Sequence, residues 1–220
     1  ISPRLNNYDV VLTQEDFGIY TDALHRDAAH RFISTPHPGP AELNPIGRTE
    51  AALGDGLNIM SNLPIDPELD RVPWTGCGSA AADCLALKGF ARTTLTLPLD
   101  TGAAPDPGEG AAKVEAPVDL YSLHLEAGGD DDALRGDNLD QLAAYLKQRP
   151  ADRPVIVGGD WNLHTDEEPD ATQYKKFLAE TGLADVCESV DCGDDADVID
   201  KVAFRSSDGV TLTPTSHTFE

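Results

Sequence analysis

A chain of 220 residues with 40% hydrophobic residues and two tryptophans carries enough apolar material for one large core, which excludes disorder as the default. Thirty-nine acidic against 16 basic side chains leave a net charge of −23. Such a surface repels a phosphate backbone and argues against a DNA-tracking protein, though not against small phosphoesters; the charge can equally serve solubility or a salty medium. No apolar run approaches the ~20 residues of a membrane span, and any targeting segment is expected outside the chain, since no basic-then-apolar signal opens it.

Residues 1–7 read as the tail of a helix. Segment 8–13 is a buried strand ending at Gln14-Glu15, and segments 56–60 and 90–97 read as two more. Residues 101–117, rich in Gly, Ala and Pro, read as a loop between strands. Segment 118–125 is the next strand, with Val118, Leu120, Ser122 and His124 on one face. A helix over 137–150 puts Leu139, Leu142, Ala143 and Leu146 on one stripe, with Asp137 as its cap and Pro150 as its stop. Residues 154–157 form a short apolar strand closed by Gly158-Gly159. A helix over 171–181 follows, capped by Asp170 and ended by Gly182; strands 199–205 and 210–213 complete the pattern. Strands alternating with helices, with hairpin turns among them, favour a mixed sheet or two packed sheets with outer helices.

The four cysteines stand as Cys77/Cys84 and Cys187/Cys192, and they allow three pairings. Neither pair has the spacing of a zinc knuckle and neither is flanked by histidine. Two local disulfides, and with them an oxidising compartment, are the preferred reading; four free thiols are the alternative.

The most informative segment is Val-Ile-Val-Gly-Gly-Asp-Trp-Asn, 155–162. Asp160 and Asn162 stand at i and i+2 at the end of a buried strand, so in extended chain their side chains point the same way. A charged acceptor beside a neutral amide suits holding a water or metal with one and a phosphoryl oxygen with the other. A self-bonded Gly-Asp-x-Asn turn is the bland alternative. Glu15 follows an apolar run, where a carboxylate is costly unless paired or bound to a cation. His124 within a strand could be a satisfied core histidine, and Asp200 a cap. Their common placement at strand ends, where sites gather, makes the set more telling than its members.

The order Gln14-Glu15, Ser122-Leu123-His124-Leu125, Gly159-Asp160-Trp161-Asn162 and Ile199-Asp200-Lys201-Val202 resembles the motif series of the endonuclease/exonuclease/phosphatase superfamily. Gly56-Leu57-Asn58-Ile59-Met60-Ser61 resembles the strand after its metal-binding glutamate. The run through Asp83-Cys84-Leu85 to Lys88-Gly89-Phe90 is similar to secreted bacterial sphingomyelinases. The resemblance implies a four-layer α/β sandwich of two packed mixed sheets with outer helices, and a secreted Mg²⁺-dependent phosphodiesterase acting on a small phosphoester or phospholipid head group. It implies that Glu15 binds Mg²⁺, Asp160 orients the attacking water and Asn162 holds the scissile phosphate. His124 would donate to a phosphoryl oxygen, and Asp200 would orient a second histidine as general base. Two family motifs have no counterpart: an asparagine-bearing strand before Glu15, and a final Ser-Asp-His, for which Ser216-His217 is a poor substitute. The 220 residues are therefore expected to be a single domain truncated at both ends, lacking its terminal strands and weak or inactive by itself. The rival readings are a nuclease of the same superfamily and a noncatalytic binding domain on the same fold.

Overall fold

Alternation of apolar side chains on short strands builds two sheets here, and the two faces of each are buried by different partners. The computed structural model describes residues 2–37, 51–78, 80–99, 114–193 and 198–219. A short helix α1 (Ser2–Leu5) leads to β1 (Val10–Thr13), α2 (Gly18–His25), β2 (Phe32–Ile33), β3 (Asn58–Ser61), β4 (Asp70–Pro73), β5 (Gly89–Pro98) and β6 (Glu115–His124). Then come α3 (Asp132–Lys147), β7 (Val155–Asp160), α4 (Asp170–Thr181), β8 (Ala184–Asp185) and β9 (Asp200–Arg205). The smaller sheet is antiparallel, in the order β1-β3-β2. The larger is mixed, in the order β4-β5-β6-β7-β9-β8, with β6 and β7 its parallel pair.

Period-2 alternation sorts the core. On one face of the larger sheet Phe90, Tyr121, Leu123 and Val157 meet the stripe Leu139, Leu142, Ala143 and Leu146 of α3 and Tyr174, Phe177 and Leu178 of α4. On the other face Leu95, Leu120 and Ile156 meet Ile59, Val10 and Leu12 of the smaller sheet. Asn58, next to Ile59, turns the opposite way and reaches Asp16 below α2. The layers thus run α3/α4, large sheet, small sheet, α2. Beside the inter-sheet core lies a gap of about 940 Å³, lined by Leu12, Leu95, Leu120 and Val202 and reaching Gln14 and Asp200 at one end.

The structure moves several expected boundaries. α3 begins at Asp132, so Asp137 lies within the helix rather than capping it. Arg135 fixes that first turn by bonding Asp132, Asp170 and the Gly128 carbonyl. Asp170 is likewise the first residue of α4, not its cap. Its carboxylate takes the His164 N–H at 3.0 Å and the Arg135 Nε–H at 3.1 Å, which ties α4 to α3. Gly182 ends α4 at φ 67°, as expected. The strand expected over 210–213 shrinks to a Ser207–Val210 bridge, because Ser206 Oγ captures the Leu212 N–H and Pro214 has none to offer. Within the loop expected over 101–117, residues 101–113 lie outside the described residues, while Glu115 already opens β6. Helix α2 and the short strands β2, β4 and β8 carried too few periodic residues to be read.

Both expected disulfides are present, Cys77–Cys84 and Cys187–Cys192. Each closes a short loop, so its stabilisation is modest. Replacing Cys187 and Cys192 together by serine should cost about 2 kcal/mol in denaturant unfolding. An unchanged midpoint would mean that the 187–192 loop is held by other contacts.

Candidate active site

Three strands deliver three of the five expected residues to one row. In the β6–β7 register His124 stands opposite Asp160, and in the β7–β9 register Asp160 stands opposite Asp200. His124 Nε2 lies 3.4 Å from Asp160 Oδ2. Asn162, at φ 47°, turns back over this row. Its backbone N–H reaches Asp160 Oδ1 at 2.9 Å and its side-chain Nδ2 donates to the Leu125 carbonyl at 3.0 Å. The i, i+2 expectation of parallel side chains in extended backbone therefore does not hold beyond Asp160. The left-handed residue bends the chain and points the amide at the end of β6 instead.

Glu15 arrives from the other sheet. β1 runs directly over β7, where a Cβ on Gly158 would sit 2.8 Å from Leu12 Cδ1 and one on Gly159 3.1 Å from Gln14 Nε2. Gln14 Nε2 donates to Ser122 Oγ at 3.0 Å, pinning the end of β1 to β6 two residues before His124. Glu15 follows in a tight turn at φ 55°, near enough for its charge to bear on Asp160. All five expected residues therefore gather at one rim of the sheets.

The electrostatics of the row are set first by burial. Burial, opposed by the Asn162 N–H, and the neighbouring Asp200 and Glu15 charges raise the Asp160 carboxyl to about 6. Burial also raises Asp200. His124, 2% exposed, is pushed down to about 3 by burial and by the nearby Lys88 ammonium. It is a neutral imidazole at physiological pH, so its contact with Asp160 is not an ion pair. Glu15, Asp160 and Asp200 offer the oxygen donors that a hard divalent cation takes, but among the described residues their carboxylates do not form a ready-made cluster; the close acidic group is Asp83, Glu126 and Asp131.

A family model, described as Endonuclease/Exonuclease/phosphatase family, matches residues 1–217. The chain belongs to that family. It is 32% identical over 231 aligned positions to a sphingomyelinase of Mycobacterium tuberculosis, an alignment that covers 99% of this chain and 41% of that protein. The chain thus spans less than half the length of this curated relative. Among solved structures, a β-hairpin deletion mutant of the beta toxin from Staphylococcus aureus superposes with a TM-score of 0.64 at 17% identity, covering 99% of this chain and 84% of that one. A second mutant of the same toxin, with bound magnesium ions, gives 0.60 at 19% identity, covering 92% and 73%. At these identities the structural likeness carries the fold alone.

Within this family member, the residues missed by sequence reading are those that act from behind. Lys88 is 3% exposed. It pairs with Asp83 at 2.8 Å, donates to the Leu125 carbonyl at 3.2 Å, and its charge acts on both His124 and Asp160. The Trp74 indole N–H holds the His124 carbonyl at 2.8 Å. A lysine opening an apolar strand was the available signal for Lys88; Trp74 gave none.

Proposed function

We propose that this chain carries the hydrolytic site of a secreted, Mg²⁺-dependent phosphodiesterase that cleaves a small phosphoester of the sphingomyelin type. The observation that carries the reading is the row His124–Asp160–Asp200 across three adjacent strands, with Glu15 brought to it from the second sheet. The sphingomyelinase relative supports the substrate class, and the two disulfides support an extracytoplasmic setting. Glu15 would hold the cation, with the Asp160 and Asp200 carboxylates facing it. Once bound, the cation supplies Lewis-acid polarisation of a phosphoryl oxygen.

The protein's own groups divide the remaining work. Asp160, an acceptor between a neutral histidine and a second carboxylate, orients the attacking water. Asn162 spends one amide N–H on Leu125 and keeps another for a phosphoryl oxygen. Neutral His124 donates one ring N–H to charge that develops on phosphorus-bound oxygen. Asp200 would orient the general-base histidine of the family's Ser-Asp-His motif, which these 220 residues do not contain. The test is Mg²⁺-dependent release of phosphocholine from sphingomyelin by the protein at its full natural length. His124→Ala should lower kcat by roughly 10²–10³-fold with little change in Mg²⁺ affinity. Turnover of DNA in preference to the choline diester would favour the nuclease reading. A folded protein inert toward lipid, nucleotide and sugar phosphates alike would favour the noncatalytic one.

A further inference from the structure

The turn that carries Glu15 is gripped by a buried network to which the proposed reaction gives no part. Glu15 adopts φ 55°, a left-handed backbone that side chains seldom occupy. Its neighbour Asp16 is 5% exposed. Asp16 Oδ2 accepts from Asn58 Nδ2 at 2.9 Å and Thr13 Oγ1 at 3.2 Å, and lies 2.7 Å from His25 Nε2; Oδ1 accepts from Thr21 Oγ1 at 3.2 Å. The Asp16 carbonyl takes a further Asn58 Nδ2 contact at 3.2 Å, and the Asp16 N–H donates to the Gly56 carbonyl at 3.0 Å. Gly56 itself sits at φ 66°, and a Cβ there would lie 2.8 Å from Phe17 and 3.1 Å from the Glu15 backbone. Donors from β1, α2 and β3 thus converge on one carboxylate, one residue beyond the glutamate they orient.

We infer that Asp16 is a positioning residue for metal binding: its contacts with His25, Asn58, Thr13 and Thr21 hold the Glu15 turn in its left-handed form, so that the Glu15 carboxylate faces Asp160. This rests on the reading of Glu15 as a cation ligand. A carboxylate suits the place because four donors meet there, and an amide in its stead would present N–H to some of them. The network stabilises the turn before any cation arrives, so its loss appears in metal affinity rather than in the chemical step.

The experiment is Mg²⁺ titration of the protein by calorimetry, with the buried Trp161 beside Asp160 as a fluorescent reporter. Asp16→Asn should raise the Mg²⁺ Kd about 10–100-fold, while kcat at saturating Mg²⁺ stays close to that of the unsubstituted protein. His25→Ala should give a smaller rise, and His25→Gln, which restores an N–H donor, should reverse most of it. Asp119→Asn disturbs an equally buried carboxylate, midway along β6 and paired with Arg92 and Arg153, and should leave Mg²⁺ affinity unchanged. If Asp16→Asn does not fold, the His25 pair decides. Equal affinity in Asp16→Asn and Asp119→Asn, or in His25→Ala and the unsubstituted protein, overturns the inference. Glu15→Gln separates the two levels. If it weakens Mg²⁺ binding and the Asp16 and His25 variants do not, the positioning role alone fails. If Glu15→Gln leaves Mg²⁺ binding intact, the ligand role fails and takes the positioning role with it.

Discussion

Replacing Asp160 by Asn should make the metal-free protein more stable at neutral pH while abolishing Mg²⁺-dependent hydrolysis. The sign follows from the site. Asp160 releases its proton near 3.8 in a solvated chain and near 6 in the fold, where burial and the Asp200 and Glu15 charges disfavour the anion. Between those two values the folded state holds more protons than the unfolded one, so stability falls as pH rises through this window. Above pH ~6 the full cost is present; below pH ~4 the group is neutral in both states and the cost vanishes. At 1.36 kcal/mol per pKa unit, reduced for the partial exposure of the side chain, the cost is about 2 kcal/mol.

Asn keeps the shape and removes the charge. Asp160→Asn should therefore raise the denaturation midpoint of the metal-free protein at pH 7.5 and leave it unchanged at pH 3.5. Added Mg²⁺ should stabilise the unsubstituted protein by binding only its folded form, and the variant far less. Loss of the water-orienting acceptor should cost roughly 10²–10⁴-fold in turnover. A variant that is destabilised without metal at pH 7.5, or that gains as much from Mg²⁺ as the unsubstituted protein, would show that these carboxylates do not form a cation site. A half-buried carboxylate kept for chemistry thus costs the unloaded fold stability.

What could be read from the sequence follows the range of the forces involved. Strand β7 with its glycines and the α3 stripe are written in local pattern, and the register sets His124, Asp160 and Asp200 side by side on three strands. Asp160 and His124 could be aligned because each ends an apolar run of fixed period. The fault lines are equally physical. Capping preference starts α3 at Asp137, but Arg135 bonds to Asp132 and Asp170, a residue of another helix, and no local rule contains that pairing. Sequence alone puts Asn162 in extended backbone; it adopts φ 47°, with its amide on the Leu125 carbonyl just past the end of β6. The Asp16 network escapes for the same reason, since its donors come from β1, α2 and β3, while Lys88 pairs with Asp83 only five residues upstream; a buried charge is recognisable only once its partner is known.

Gly159→Ala should be the most damaging single methyl at the rim where His124, Asp160 and Asp200 meet. Gly159 has φ 142°, where a side chain is strained, and its Cβ would lie 2.2 Å from the Leu123 carbonyl oxygen and 2.9 Å from the Leu123 nitrogen. Both are backbone atoms of β6, which cannot rotate away as a side-chain tip could. The methyl must therefore push β7 from β6 at the step just before His124 and Asp160 face each other. It would also crowd Gln14 Nε2, the group that pins β1 to Ser122. Backbone strain of this kind costs on the order of 1–3 kcal/mol by itself, and the displaced strand adds to it; a loss of about 3 kcal/mol should lower Tm by roughly 6–12 °C. Activity should fall further than stability explains, because Asp160 leaves the row on which His124 and Asp200 depend. Gly129→Ala is the matched control, since a Cβ there meets no atom within 4 Å, and it should change neither Tm nor turnover. Scanning calorimetry and Mg²⁺-dependent turnover of both variants decide the matter. A Gly159→Ala protein that melts and turns over like Gly129→Ala would mean that β6 and β7 do not meet in the register that assembles this site.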